Sequence, residues 1–306
     1  MREKFIQQNF HGSSLRVIEQ AQLIIDEMGG KGYKITVRQL YYQFVTKNWL
    51  PNTDKSYKRL VKIINDARLA GYLDWDSIVD RTRFLRKIPD YSSPRQFAMI
   101  VADSYAEDLW RDQNNYVETW IEKDALVGVI EGPCDEWRVP YYSCRGYGSQ
   151  SEMYEAGKRL LDKITAGKRV TILHLSDHDP SGLNMTKDIQ NRLDMFCGAG
   201  RINVQRIALT MAQIDHYNPP PNPAKETDSR FAGYAEEFGD ESWELDSLDP
   251  EVIANMVSER IQDLLDGELF EQAEIGERNR RRLLQNVGRH FNELSRFLET
   301  GIRPIE

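Results

Sequence analysis

The 306-residue chain has only three cysteines, Cys134, Cys144 and Cys197, and no Cys-x-x-Cys pair. Such sparse thiols exclude a disulfide framework, give no zinc-site spacing, and fit a reducing compartment. No run approaches the roughly 18 apolar residues of a membrane span. The opening Met1-Arg2-Glu3-Lys4-Phe5 lacks the apolar core of a signal peptide. A soluble, cytoplasmic protein with no membrane partner is the expectation. A Walker-type phosphate loop is also missing, as are internal repeats and any low-complexity tract beyond Asn218-Pro219-Pro220-Pro221-Asn222-Pro223.

Charge, by contrast, is plentiful and unevenly placed. The net charge is −8, yet residues 1–95 carry about 17 Lys and Arg against 10 Asp and Glu, so the rest sits near −15. A basic N-terminal third suits phosphate binding, and an acidic remainder can include carboxylates that collect a divalent cation. The length allows two domains, each with its own core. The Pro/Ser-rich segment 89–94 marks the expected boundary, giving domains 1–94 and 95–306.

In the first domain, Leu15, Ile18, Ala21, Ile24, Ile25 and Met28 recur at helical spacing over 14–28, with Ser13 or Ser14 as cap and Gly29-Gly30 as stop. A second helix opens at Thr36 and runs to Val45. A third spans 55–70, with Leu60, Ile63, Ile64 and Ala67 on one face and Arg59, Lys62 and Arg68 on others. Three short helices with a basic third one suggest a helix-turn-helix or winged-helix module, with 72–83 as wing and Arg59, Lys62 and Arg68 as contacts to the DNA backbone. From 96 onward β-like runs at 116–121, 139–143, 169–176 and 202–209 alternate with helical stretches at 98–112, 124–131, 150–165 and 180–193. This predicts an α/β domain with a mainly parallel sheet, whose ligand site lies at the carboxyl ends of the strands. The segment 214–250 reads as an extended loop, and helices at about 250–267 and 275–299 close the chain.

Glu122 and Asp177 fall at those strand ends, and Asp179 follows one residue later. Mg2+ takes oxygen ligands and binds through one or two carboxylates plus substrate phosphate, which suits Glu122, Asp177 and Asp179; Mn2+ accepts the same donors. The structural alternative is that one of the aspartates caps the helix that opens near Pro180. His178, between them, is expected to face solvent. Lys123 and Arg145 are candidate phosphate or carboxylate partners, with surface ion pairs as the alternative. The segment Trp243–Leu248 reads as an acidic surface loop, and the other reading of Glu244 or Asp246 is an extension of the metal site.

Three blocks in order, Glu122-Lys123-Asp124-Ala125, Arg145-Gly146-Tyr147 and Asp177-His178-Asp179-Pro180-Ser181-Gly182, resemble the Toprim domain of the topoisomerase VI A subunit and its meiotic double-strand-break relative. Upstream, Arg38-Gln39-Leu40-Tyr41-Tyr42 is similar to the family's Arg followed by an aromatic pair in a winged-helix domain. Together the matches reach from about residue 30 to 195. The resemblance implies a CAP-like winged helix, a Toprim domain, and Mg2+-dependent cleavage of double-stranded DNA. It makes Tyr42 the nucleophile, assisted by Arg38, with Tyr41 as packing neighbour. It further implies a homodimer in which Tyr42 of one subunit meets the Toprim site of the other. Longer relatives use a partner ATPase subunit, which this chain does not encode; it looks closest to the short single-subunit relatives called Topo mini-A. Two other functions remain open: a hydrolytic Toprim nuclease of the plasmid-defence type, with water attacking, and a non-catalytic winged-helix DNA-binding protein.

Overall fold

The computed structural model describes residues 2–79, 88 and 90–301. The chain groups into two compact units, one of Met1–Arg83 with Tyr116–Asp263 and another of Phe84–Asn115 with Leu264–Glu306. The segment 89–94, read as a domain boundary, therefore lies within the second unit.

In the first unit, α1 (Gly12–Gly30) buries Val17, Ile18, Ala21, Ile24, Ile25 and Met28, the stripe that its spacing dictates. The helix begins earlier than expected, with His11 at the N-cap position and no side-chain cap, so Ser13 and Ser14 lie inside its first turn. The second helix, α2 (Val37–Thr46), opens on a complete capping box: Gln39 N donates to the Thr36 hydroxyl, and Thr36 N donates to the Gln39 side chain. Thr53 caps α3 (Asp54–Leu69), which buries Leu60, Ile63, Ile64 and Ala67 against the same core. Residues 72–79 form an isolated parallel bridge, Ile35 with Ile78, rather than a strand pair. The remainder of the expected wing, 80–83, lies outside the described residues.

The helix expected over 98–112 is α4 (Pro94–Asp103), which belongs to the second unit and stops nine residues early. Past it, Asp108 takes the Trp110 amide at 3.0 Å, a local side-chain turn that competes with helix. The sheet of the first unit starts with β1 (Asn115–Ile121), followed by a 3-10 turn at Asp124–Leu126 and α5 (Val127–Glu136). Then come β2 (Tyr141–Ser143), α6 (Gln150–Thr165), β3 (Arg169–Leu175), α7 (Pro180–Cys197) and β4 (Ile202–Ala208). The four strands form a parallel sheet in the order β2-β1-β3-β4. All but the first residue of β1 and of β3 are buried, as strands covered on both faces must be.

The expected loop 214–250 is instead built from short elements: α8 (Met211–Tyr217), β5 (Asn222–Pro223), α9 (Phe231–Phe238), β6 (Glu241–Ser242) and a 3-10 turn at Leu245–Ser247. Most of these are too short for periodicity to show; α9 does carry Phe231, Tyr234, Ala235 and Phe238 at helical spacing, within a stretch otherwise rich in Pro, Asp and Glu. The first unit ends with α10 (Pro250–Gln262), capped by Asp249.

In the second unit, α4 packs with α11 (Gly267–Arg289) and α12 (Phe291–Thr300), two helices where one was expected, parted at His290. Glu277 accepts the Glu107 amide at 2.7 Å and pairs with Arg281 at 2.5 Å, fixing the 104–115 segment to α11. No helix among the described residues is long and apolar enough to cross a membrane.

Candidate active site

The carboxyl ends of β1 and β3 are neighbours, and the chain leaves both in acidic residues. Glu122 N donates to Leu175 O across the pair at 2.9 Å, and Glu122 Oε2 accepts the Asp177 amide at 3.2 Å. Asp177 and Asp179 then diverge. Asp179 is the N-cap of α7, its Oδ1 accepting from Gly182 N at 2.6 Å, so the capping alternative holds for this aspartate. Asp177 turns inward. Its Oδ1 accepts from Leu245 N at 2.8 Å and pairs with Lys123 Nζ at 2.9 Å.

The turn between them is tight because it must be. A Cβ on Gly182 would lie 2.2 Å from the Asp177 carbonyl oxygen. That carbonyl accepts from Arg206 at 2.6 Å, and the same guanidinium reaches the Ser176 and Gly182 carbonyls at 3.1 and 3.0 Å. Arg206, on β4, escaped the sequence reading because an arginine in a β-like run gives no pattern. Burial lowers its pKa to about 10.

His178, expected in solvent, is buried. Its ring lies against Tyr234, Phe238 and Trp243, its Nδ1 is 2.9 Å from the Tyr234 hydroxyl, and burial lowers its pKa to about 4. The backbone of His178 pairs in both directions with Trp243, at 2.8 and 3.0 Å. That bridge carries the next residues onto the strand ends.

Glu244 and Asp246 thereby enter the site, which overturns their reading as a surface loop. Asp246 is 3% exposed. Lys123 Nζ lies 2.8 Å from Glu244 Oε2, 2.8 Å from Asp246 Oδ1 and 2.9 Å from Asp177 Oδ1. Burial works against the ammonium, but Asp246, Asp177 and Glu244 raise its pKa well above the lysine range. Arg38, on α2, joins from the other side, 3.0 Å from Glu244 and 3.4 Å from Asp246. Its guanidinium also lies 5.9 Å from the centre of the Tyr42 ring.

Tyr42 is 4% exposed and lines the same pocket as Glu244. Burial raises the phenol's pKa, and the charges of Asp246 and Glu244 raise it further, while Arg38 opposes them. Tyr41, its packing neighbour, is spent on structure: its hydroxyl accepts from Thr53 N at 2.8 Å and lies 3.1 Å from the Pro51 carbonyl. Tyr42, Arg38, Asn52, Tyr57, Asn222 and Glu244 line one polar pocket.

Other predicted residues lie apart from this cluster. Arg68 stacks on Trp75 at 4.5 Å and donates to the carbonyls of Trp75 and Ile78, so it is an internal brace and not a free DNA contact. Arg59 is exposed and donates to Ser13 at 2.8 Å; Lys62 is exposed. Arg145 pairs with Asp124 at 3.1 Å on the surface.

Among the described residues, no three His, Cys, Asp or Glu side chains converge as a ready metal cage. The donors nevertheless suit a hard cation that completes its shell with water and phosphate. Glu122 and Asp177 are all-oxygen neighbours, and each keeps one oxygen out of the hydrogen bonds described. Burial raises both carboxyls; Asp179 adds to the rise at Glu122, and the charge of Glu122 to that at Asp177, which reaches about 7. Across the whole cluster Lys123, Arg38 and Arg206 face Glu122, Asp177, Asp179, Glu244 and Asp246, which leaves two formal negative charges in excess. A divalent cation matches that surplus. Comparison with protein families, with curated proteins and with solved structures finds no match to this chain.

Proposed function

We propose that the chain cleaves double-stranded DNA by transesterification, in the manner of the topoisomerase VI A subunits that its motifs resemble. A winged-helix-like N-terminal part would dock the duplex and a Toprim-like sheet would carry the carboxylates. Two copies, each breaking one strand, would produce a double-strand break.

The carrying observation is one continuous cluster: Tyr42 and Glu244 line the same pocket, and Glu244 shares Lys123 with Asp177. Tyr42 Oη attacks phosphorus, and the displaced sugar oxygen leaves with a proton. The bond from tyrosine to phosphate replaces the phosphodiester, so the broken end stays activated. Arg38 and Lys123 are the cations placed to meet phosphate oxygens, in exchange for their present carboxylate partners. Glu122 and Asp177, with Asp179 adjoining, would hold Mg2+ or Mn2+, which supplies positive charge against the phosphate and the site's own surplus.

A second reading, hydrolysis with water as nucleophile, is favoured by one observation: burial and the neighbouring carboxylates work against a Tyr42 phenolate. Supercoiled plasmid incubated with protein and Mg2+, then quenched with SDS, separates the two. Transesterification leaves a covalent protein–DNA adduct that Tyr42→Phe abolishes, and Asp177→Ala lowers cleavage at least about a hundredfold. Cleavage that survives Tyr42→Phe but not Asp177→Ala establishes hydrolysis. Binding of DNA with no cleavage in either metal would leave the winged-helix DNA-binding reading.

A further inference from the structure

The second unit is short of interior. Among its described residues the buried apolar side chains are Ala102, Leu109, Trp110 and Phe270, a small core for three helices. In α12, Phe291, Leu294, Phe297 and Leu298 recur at helical spacing, yet the helix buries no residue and Leu298 is 81% exposed. On α11, Leu283 and Val287 are exposed as well, and with Leu294 and Phe297 they line one apolar groove. A face of this kind is stable in water when something covers it.

The charges beside the groove identify its cover. Glu271, Glu274, Arg278, Arg282 and Arg289 are all exposed, and they follow one another at spacings of three, four, four and seven residues, which sets them on one face of α11. That stripe is acidic toward the amino end of the helix and basic toward the carboxyl end. Ile275, 45% exposed, sits where the sign changes. Turned end for end, the stripe is complementary to itself.

From this pattern we infer that two copies of the chain associate through α11, laid antiparallel about a two-fold axis near Ile275. Glu271 and Glu274 of each copy then meet Arg278 and Arg282 of the other, which fixes direction and register. An antiparallel pair also sets like flank against like flank. Leu269 stands about five turns before Val287, on the groove's side of α11, so the axis brings the first turns of one helix over the groove of the other. The groove supplies the apolar burial and the stripe supplies the specificity. A basic stripe alone would suit DNA phosphate, but Glu271 and Glu274 continue the same line and repel it. The association is independent of the chemistry at the strand ends.

Analytical ultracentrifugation of the 306-residue chain at tens of micromolar, without DNA or metal, tests the contact separately from cleavage. Wild type should sediment as a dimer. Arg278→Glu with Arg282→Glu makes the stripe acidic up to Arg289, and Glu271→Arg with Glu274→Arg makes it basic throughout. Each double variant alone should raise the dimer Kd at least about a hundredfold, since every facing pair becomes like-charged. Mixed in equal amounts the two should pair again, because an acidic stripe then faces a basic one, and that rescue shows both variants to be folded. Leu283→Glu, which puts a charge in the groove, should weaken the wild-type dimer about tenfold or more. A monomeric wild type, a dimer indifferent to both charge reversals, or a mixture that fails to pair overturns the inference. So does an Arg278→Glu, Arg282→Glu variant that keeps its dimer and loses affinity for DNA, which would make the stripe a nucleic-acid contact.

Discussion

Glu118 stands on β1 and Glu122 just past its carboxyl end, and the two live in opposite circumstances. Glu118 is 2% exposed and fully served: Tyr116 and Arg159 Nε reach one oxygen at 2.8 Å each, while Trp120 and the other arm of Arg159 reach the second at 2.9 and 3.0 Å. Glu122 accepts one amide and looks onto other carboxylates, with its pKa raised. The first is what a buried acid looks like when the fold itself uses it. The second is an acid whose counter-charge the fold has not fully supplied, the condition that the proposed cation site requires.

The contrast can be broken at its stable end first. Glu118→Ala leaves the Trp120 indole and the Tyr116 hydroxyl without their acceptor and should cost about 3 kcal/mol in urea unfolding. At the other end, Mg2+ at a hundred times its dissociation constant should stabilise the metal-free protein by about 2.7 kcal/mol, and Asp177→Asn should remove that gain. A pH series sharpens the difference further. In the folded chain Asp177 is held up to about 7, against about 4 when unfolded, so the fold binds the extra proton between those values. Stability without metal therefore falls as pH rises from about 4 to 7, and Asp177→Asn should flatten that slope. The smallest effect belongs to Asp179. Asp179→Ala removes the α7 cap and should cost about 1 kcal/mol at any metal concentration.

Much of this was legible in the sequence, for identifiable reasons. The four strands and helices α6 and α7 follow runs long enough for period and caps to speak clearly. Glu122 and Asp177 were placed at strand ends by that pattern alone. Glu244 and Asp246 were not, because their approach depends on a two-residue bridge between Trp243 and His178, and tertiary pairing of that kind leaves no local periodicity. The His178 error has the same root: the cage around it is made by Tyr234, Phe238 and Trp243, over fifty residues downstream. The contacts of Arg68 with Trp75 and Ile78 could not be read from sequence either, because a basic side chain on a helix looks the same whether it meets phosphate or an indole face.

The glycine at 182 has a consequence for descent. With the Asp177 oxygen 2.2 Å from where a Cβ would stand, and that oxygen held in turn by Arg206, even alanine forces the turn apart. Drift is therefore unequal along Asp177–Gly182. Ser181 can vary with modest penalty, whereas the glycine can change only if the turn and its arginine change together. Distant cousins that have lost every other likeness to this chain should still be recognisable by an aspartate, a gap of four residues, and a glycine.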